Sequence, residues 1–406
     1  MAATTSTFSS MLEVYAPDRM FTEEQKRHSY FWNKVKKDPT WKGGTYRYDF
    51  EGGENNSIQF ENLVASTDVG EATAVAGTIT TYSEAWGTLA FNEKDLDRHS
   101  DLQQSVLQIL PSKLEQFMKR FAQVVNVTLL RDGAISQLTS DGANGSIIVD
   151  KPQLHTIGEK IEIDDDNSAA VSAYITAIDM ATKTLTIKDA RTSGSSVNAS
   201  AYTTAQNAKV YPPNGVASGF TGLGTQLLSS TNGGASTIAG QTKTTYPFLQ
   251  AQQHNGSTIN AANILEKLFD FYFDTLDLGK GNPTEILMSM KNLKNCLKSE
   301  QANRLYATSD KKAGYGFRSV TLIGNEGELT LTGVRDMPDS RIYILDWDAL
   351  VFAGYKFFEK KRHQNNELFF MVRATTGISY LVDVKFYGNL IVKAPSSCGV
   401  VHSISY

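Results

Sequence analysis

Cysteine is scarce in this 406-residue chain, and long apolar runs are missing. The two cysteines, Cys296 and Cys398, are too few for a disulfide framework, which predicts synthesis in a reducing cytoplasm. Cys296 has no histidine near it in sequence, which favours an inert thiol over a nucleophile. No run approaches the ~20 apolar residues that a membrane-spanning helix requires, so we expect no membrane association. The segment MAATTSTFSS at the start has no basic or apolar region, so we expect no signal peptide.

The sequence motifs of common enzymes and cofactor sites are also missing. There is no Gly-x-Ser-x-Gly, His-Glu-x-x-His or paired Cys-x-x-Cys motif, and no two histidines have the i, i+4 spacing of a helical pair. Gly222-Leu-Gly224 is not followed by the third glycine of a dinucleotide motif, so we interpret these glycines as residues of a loop. The aspartates at 164–166 favour a surface turn, because a calcium site needs oxygen ligands from several places. We therefore expect no catalytic residues, no cofactor, no metal and no enzyme activity.

Lysine is missing from residues 43–92, and this segment is strongly acidic. Its only basic residue is Arg47, against the acidic residues Asp49, Glu51, Glu54, Glu61, Asp68, Glu71 and Glu84. Residues 1–47 instead carry more basic than acidic side chains, which we interpret as a solvated helix face. The whole chain has a net charge of −4, so it has no global basic footprint for nucleic acid.

The strongest positive signal is a long helical pattern between Asp95 and Gly133. Apolar residues recur at three- and four-residue steps and predict one wide apolar stripe, formed by Leu102, Val106, Ile109, Leu110, Leu114, Phe117, Met118, Phe121, Val124, Val125 and Leu129. Gly133 should end the helix, with Arg131 where a cation suits the helix dipole. Pro111 should kink the helix or divide it in two. At about 1.5 Å per residue the helix would be about 50 Å long, which suits an extended protein.

Upstream of this helix the pattern predicts an arm followed by a β excursion. The N-terminal residues suggest an extended arm, and a capping box opens a short helix that reaches Val35. Tyr46, Tyr48 and Phe50 alternate with polar residues and predict a strand, for which residues 75–91 supply returning strands. An isolated two-stranded excursion is barely stable, so we expect it to lie on a neighbouring subunit.

Downstream of the helix, residues 147–212 differ in composition from their surroundings. Short alternating runs predict three strands between Ser-, Ala- and Asn-rich loops: Gly158–Ile163, Tyr174–Ile178 and Thr184–Ile187. We interpret them as a small, autonomous, outward-facing all-β module inserted into the main domain. After this module we expect a helix around 264–276, a strand that runs into a helix over 283–305, and a final hundred residues rich in strands.

In this order the elements resemble the major capsid proteins of tailed double-stranded DNA bacteriophages, which have the Hong Kong 97-type α+β fold. The resemblance covers essentially the whole chain. The stretches that carry it are Phe117–Gly133, Pro283–Leu305, Val334–Leu350 and Arg373–Pro395. It implies the following division: an N-terminal arm (1–45), an E-loop (46–93), a peripheral domain with the spine helix (94–133 and 350–406), an axial domain (134–146 and 215–349) and an inserted β domain (147–214).

The resemblance also implies a function and partners. Copies of the chain would assemble as hexamers and pentamers into an icosahedral shell that encloses double-stranded DNA without sequence specificity. A portal protein would join it in the virion capsid, and a decoration protein could bind there. The capsid would be assembled in the host bacterial cytoplasm. The helical pattern starts near residue 95, which leaves no room for a cleaved scaffolding segment, so a separate scaffolding protein is implied. Two alternatives remain open: an encapsulin-like nanocompartment shell, and a surface β-rich adhesin suggested by residues 147–240.

The acidic E-loop would need basic residues elsewhere to offset its charge. We expect subunit contacts that are electrostatic and aromatic. The candidate interface residues are Tyr46, Tyr48, Phe50, Glu51, Glu54, Phe60, Glu61, Lys360, Lys361 and Arg362.

We predict that the shell is not held by lysine–asparagine isopeptide bonds in the E-loop. Some members of the family cross-link through a lysine of this loop, but residues 43–92 contain none. Boiled, denatured particles should therefore run on a gel as one band near the chain mass of 44.6 kDa. A ladder of covalent multimers that maps to this loop would contradict the prediction.

Overall fold

The computed structural model describes residues 30–41, 44–50, 75–92, 102–165, 168–278, 281–303, 319–323, 328–360, 370–374 and 377–405. The α-helices in this part of the chain are α1 (Tyr30–Lys34), α2 (Leu102–Leu130), α3 (Gly215–Ser218), α4 (Leu223–Leu227), α5 (Ile264–Leu278) and α6 (Met290–Asn303). Short 3-10 helices occur at Pro152–Leu154, Thr204–Gln206, Ser230–Asn232, Pro247–Leu249, Trp347–Ala349 and Pro395–Ser397.

The strands lie between and after these helices. They are β1 (Lys36–Asp38), β2 (Tyr46–Asp49), β3 (Ala76–Ile79), β4 (Ser83–Asn92), β5 (Ser136–Gln137), β6 (Ser146–Ile148), β7 (Lys160–Asp164), β8 (Val171–Asp179), β9 (Thr184–Lys188), β10 (Lys209–Tyr211), β11 (Thr237–Ile238), β12 (Gln241–Thr242), β13 (Gln252–Asn255), β14 (Glu285–Ser289), β15 (Ser319–Ile323), β16 (Glu328–Val334), β17 (Ile342–Leu345), β18 (Leu350–Lys360), β19 (Phe370–Ala374), β20 (Gly377–Val392) and β21 (Gly399–His402).

The chain divides into two compact units, and each is made of several segments. The first unit comprises Met1–Lys42, Tyr82–Asn126 and Ala353–Asn389. The second comprises Gly43–Thr81, Val127–Phe352 and Leu390–Tyr406.

The first unit is built on one sheet with the order β1-β18-β20-β19, in which β4 also pairs with β20. Aromatic rings fill its core. The Trp32 ring meets that of Phe386 edge to face with centroids 5.0 Å apart, and Phe121 of α2 meets Phe358 in the same way at 5.7 Å. The Trp32 backbone N–H also donates to Asn126 Oδ1 at 3.3 Å. These contacts pack α1 and α2 against the sheet.

Helix α2 is the predicted long helix. The described helix runs over Leu102–Leu130, and the predicted start at 95–101 lies outside the described residues. Five members of its apolar stripe are buried: Leu114, Met118, Phe121, Val125 and Leu129. Pro111 does not divide the helix, because a proline removes one backbone hydrogen bond and the bonds on either side continue the ladder. Gly133 ends it as expected: its φ of +85° suits glycine, and its N–H donates to Thr128 O at 3.0 Å.

Only part of the predicted β excursion forms a hairpin. Strands β2 and β3 pair antiparallel, with Tyr46 opposite Ile79 and Asp49 opposite Ala76. Residues 51–74 between them lie outside the described residues. Strand β4, expected to belong to the same excursion, pairs instead with β20.

Close packing against α2 explains why β4 pairs with β20. A Cβ at Gly87 would lie 2.7 Å from the Phe117 ring, so the missing side chain lets α2 approach this strand closely. Strand β4 is thereby part of the first unit's core.

The predicted β module is a six-stranded sheet within the second unit, with the order β5-β10-β7-β8-β9-β6. The three predicted strands are β7, β8 and β9, and the turn between β8 and β9 contains Lys183 at a φ of 58°. The sheet also includes residues 136–137 and 146, which lie upstream of the predicted start. Its own core consists of Leu138, Ile147, Val149, Ile161, Ile163, Ala173, Ile175, Leu185, Ile187, Ala199, Tyr202, Ala208 and Val210.

A second six-stranded sheet in this unit has the order β13-β21-β17-β14-β16-β15. Its neighbours β13 and β21, and β14 and β16, are parallel, and the other pairs are antiparallel. Side chains of α5 and α6 share its apolar core, including Leu268 and Leu293. Strand β21 was expected in the peripheral domain with the rest of 350–406. It lies in this sheet because its buried Val400 and Val401 pair between β13 and β17.

We predict that a fragment of residues 134–213 folds without the rest of the chain, because its sheet encloses its own apolar core. The fragment should show a β-sheet circular dichroism spectrum and a cooperative thermal transition. Ile175→Ala removes a fully buried side chain and should cost about 2–5 kcal/mol of unfolding free energy. Exposed Ile157→Ala is the control and should change it little. A fragment that shows no cooperative transition would contradict the autonomy of the module.

Candidate functional site

The hairpin of β2 and β3 brings three candidate interface residues together. Tyr46, Tyr48 and Phe50 follow one face at alternate positions, with neighbouring ring centroids 6.2 Å and 4.9 Å apart. Tyr48 and Phe50 are buried within the chain, and burial, followed by the nearby Tyr46, raises the pKa of the Tyr48 hydroxyl. Gly77 on β3 makes room for them, since a Cβ there would lie 2.7 Å from the Tyr48 ring. The three rings stiffen the base of the excursion.

This base is attached to the small hairpin of β11 and β12. The Thr78 backbone N–H donates to Ala239 O at 2.9 Å, and Gln241 Nε2 donates to Ala76 O at 2.8 Å. Ala239 has a φ of 46° in the turn of that hairpin. The attachment therefore uses backbone groups and one side-chain amide.

The structure does not describe the side chains of the other candidate interface residues. Glu51, Glu54, Phe60, Glu61, Lys361 and Arg362 lie outside the described residues. Lys360 is the last residue of β18, and its side chain is likewise outside the description.

A buried charge cluster, which we call the Asp132 cluster, lies just beyond the end of α2. The Asp132 carboxylate pairs with Arg341, which precedes β17, and with Lys209 Nζ of β10 at 3.1 Å. Each of these side chains is at most 10% exposed. Burial alone would raise the pKa of Asp132, but the Arg341 and Lys209 cations outweigh it and hold that pKa well below its usual range. The single carboxylate pairs with both cations only when the inserted sheet and β17 are both in place.

A second set of ion pairs lies beside the Asp132 cluster. Arg131 Nη2 lies 2.9 Å from Asp150 Oδ2, and Arg131 Nε donates to Asp336 O at 3.0 Å. Lys151 Nζ lies 2.7 Å from Asp339 Oδ1. Besides its expected interaction with the helix dipole, Arg131 therefore links the end of α2 to other segments of the second unit.

Gly222 and Gly224 pack directly against this cluster. This corrects the interpretation of these glycines as residues of a loop only. They lie at the start of α4, where the Gly224 N–H donates to Arg131 O at 3.1 Å. A Cβ at Gly224 would lie 2.0 Å from Asp132 Oδ1, and one at Gly222 would lie 2.0 Å from Arg131 O. Only glycine permits this close approach of α4 to the end of α2.

On the first unit, β4 and the residue directly before it present aromatic side chains to solvent. Tyr82 and Trp86 are 38% and 46% exposed. Lys385 Nζ lies 5.1 Å from the Trp86 ring centroid, and the Tyr387 ring is 6.1 Å from it. The alternation of Tyr82, Glu84 and Trp86 is the sequence signal for this exposed face, and the sequence reasoning missed it.

The described residues show no arrangement suited to catalysis by thiol or metal. Burial raises the pKa of Cys296 to about 12 and that of Cys398 to about 11, so both thiols are protonated at neutral pH. Within the described ranges no group of three or more His, Cys, Asp or Glu side chains could hold a metal ion. None of the helices in these ranges is both long and apolar enough to cross a bilayer.

Comparison with known proteins identifies the fold. No protein-family model matches the sequence, and no curated protein is similar to it. The chain is similar to a chain of the cyanophage A-1(L) capsid, with a TM-score of 0.52, 10% identity, and 95% of this chain and 93% of that chain covered. It is also similar to a capsid chain of a native GTA particle, with a TM-score of 0.45, 11% identity and coverages of 92% and 89%. An encapsulin complex from Synechococcus elongatus gives a TM-score of 0.38, 10% identity and coverages of 94% and 89%.

The likeness to the cyanophage capsid chain confirms the predicted Hong Kong 97-type phage capsid fold. At this sequence identity it shows the fold alone.

We predict that Asp132→Asn lowers the free energy of unfolding by about 3–5 kcal/mol, because Arg341 and Lys209 would keep their burial and lose their counter-charge. A carboxyl with a lowered pKa stabilises the fold above the unfolded-state pKa of about 4, and this contribution is lost as the pH falls through the folded-state pKa. The variant should therefore lose part of the parent's acid sensitivity.

Urea unfolding followed by circular dichroism, at neutral pH and at about pH 3, measures both effects. Asp277→Asn on α5 is the control, because that carboxylate is exposed and should matter little. Equal unfolding midpoints for the parent and Asp132→Asn at neutral pH would show that the cluster does not stabilise the fold.

Proposed function

We propose that this chain is the major capsid protein of a tailed double-stranded DNA bacteriophage. The observation that carries the proposal is the match to the cyanophage A-1(L) capsid chain over 95% of this chain and 93% of that one. Because the likeness extends over nearly the full length of both chains, a shell subunit accounts for the whole architecture. On this proposal the chain is a structural protein and not an enzyme.

The hairpin of β2 and β3 supports assembly as the source of stability. Each of its strands has only four residues, and an isolated two-stranded hairpin is marginal in water. Its attachment to β11 and β12 holds the base, whereas the acidic excess of residues 43–92 would repel itself on an isolated loop. A neighbouring copy that supplies basic residues would relieve this repulsion, so folding and assembly are coupled.

The proposed assembly has hexamers and pentamers in an icosahedral shell. A separate scaffolding protein would guide assembly in the host bacterial cytoplasm, a portal protein would occupy one vertex, and a decoration protein could bind outside. Packaged double-stranded DNA would be held without sequence specificity. The inserted sheet, which encloses its own core, would face outward and form a knob on the shell.

Electron microscopy of the purified protein tests the proposal directly. Closed icosahedral shells are expected, and a protein that stays monomeric under all assembly conditions would contradict it. The contents of particles from the producing cells separate a phage capsid from an encapsulin-like compartment. Nuclease-resistant double-stranded DNA of uniform length supports a capsid, whereas a protein cargo without DNA supports the compartment.

We further predict that reversing Lys360, Lys361 and Arg362 together to glutamate weakens the shell. These residues are the proposed basic partners of the acidic E-loop, and each exposed pair contributes about 0–1 kcal/mol in every subunit of the shell. Variant shells should dissociate at lower temperature and at lower salt than the parent, as measured by light scattering and electron microscopy.

A control with the same charge change reverses Lys160 of β7, Lys188 of β9 and Lys183 in the turn before β9. It should leave the dissociation temperature near that of the parent. If the shells reversed at 360–362 resist heat and salt as well as the parent, other contacts hold the E-loop.

A further inference from the structure

The second unit contains a polar cavity that the proposed function does not use. Its volume is about 540 Å³, and it lies in the stretch between α4 and β13. Hydroxyl and amide side chains predominate among the residues that line it: Ser229, Ser230, Thr231, Ala235, Ser236, Lys243, Thr244, Pro247, Gln250, Ala251, Gln252 and Gln253.

Lys243 is the one charged side chain among these lining residues, and it is 3% exposed. Its Nζ donates to Leu228 O at 2.7 Å and to Thr225 O at 3.3 Å, two carbonyls at the end of α4. An ammonium has three N–H groups, so these carbonyls use two of them. Within the described ranges no carboxylate forms an ion pair with Lys243. Its charge is therefore buried and lacks a counter-charge there, and the burial lowers its pKa to about 8.

Amide groups beside Lys243 are oriented by the surrounding chain. Gln253, which lines the cavity, accepts through Oε1 from Ser229 Oγ at 3.1 Å and from Asn232 Nδ2 at 2.6 Å, so its Nε2 is left as a donor. Gln250 Nε2 donates to Lys243 O at 2.8 Å. The wall thus combines one cation with hydroxyl and amide donors. A cationic ligand would be repelled by Lys243, and an apolar ligand would leave these donors without partners.

We propose that this cavity binds an oxyanion group, such as phosphate, sulfate or a carboxylate, with Lys243 as its principal partner. The anion would supply the missing counter-charge and accept hydrogen bonds from the hydroxyl and amide groups of the wall. Lys243 directly follows β12, and its N–H donates to Ser236 O at 3.0 Å across the foot of the β11–β12 hairpin. That hairpin holds the base of the β2–β3 hairpin. Anion binding would therefore stiffen the attachment of the excursion.

Thermal melting of the full-length protein with inorganic phosphate tests the proposal, with sodium chloride of equal ionic strength as the reference. The melting temperature of the parent should rise with phosphate and follow a saturable binding curve, which isothermal titration calorimetry should reproduce. Lys243→Gln should abolish the phosphate-specific rise. Lys294→Gln, which changes an exposed lysine of α6, should retain it in full. The proposal is wrong if the parent responds to phosphate no more than to chloride, and if calorimetry detects binding neither of phosphate nor of a peptide of the acidic segment 49–72.

A further variant covers the case in which Lys243→Gln fails to fold. Gln253→Leu keeps the lysine and removes the wall amide, so phosphate should still bind with an affinity reduced at least several-fold. An unchanged affinity would place the binding elsewhere and overturn the proposal.

The anion could be free in solution or belong to a carboxylate of another copy's acidic segment. A synthetic peptide of residues 49–72, compared with the same peptide carrying Asn and Gln in place of its acids, separates the two sources. Binding of the acidic peptide alone identifies a chain carboxylate as the ligand, and binding of phosphate alone identifies a free anion. Failure of both probes refutes the site without bearing on whether the chain forms shells.

Discussion

The second unit depends on the pairing of one buried carboxylate with two buried cations at the end of the long helix. Asp132, Arg341 and Lys209 come from three segments that are far apart in sequence, and each side chain is at most 10% exposed. Removing charges from water costs several kcal/mol for each ion, so their burial is tolerable only when all three meet. The cluster thus favours the native arrangement over misfolded ones. An arrangement that misplaces the inserted sheet or β17 would leave at least one charge buried alone.

This electrostatic constraint operates together with a steric one. Gly224 lets α4 approach so closely that its N–H reaches the carbonyl of Arg131, while Asp132 occupies the space in which a Cβ would lie. Gln226 of the same short helix donates to Leu390 O at 2.8 Å and accepts from the Val392 N–H at 3.2 Å. Helix α4 therefore joins the end of α2 to the last residues of β20, and it does so with backbone and amide groups that tolerate little displacement.

Local patterns in the sequence were sufficient to predict much of the fold. Helix α2, strands β7 to β9 and the passage from β14 into α6 were predicted because their signals lie within one element or between neighbours. The pairing of β4 with β20 was not predicted, because alternation of apolar and polar residues indicates a strand but does not indicate which strand pairs with it. The residues of the Asp132 cluster were also missed. Asp132 and Arg341 are 209 positions apart, and a single sequence contains no signal that links them. The lysine in the polar cavity has no helical or strand periodicity around it, so only the structure reveals its burial.

The position of β21 sets an order of events during synthesis. This strand lies between β13 and β17, so residues 252–255 must wait for residues 399–402 before they gain their neighbour in the sheet. A ribosome adds about 5–20 residues per second, which makes this interval roughly 7–30 s. During that time the sheet exists as separate pieces with open edges, and such edges favour pairing with other chains. Nascent copies on one message are close together throughout this interval, so the emerging chain is most exposed to misassembly just before translation reaches β21.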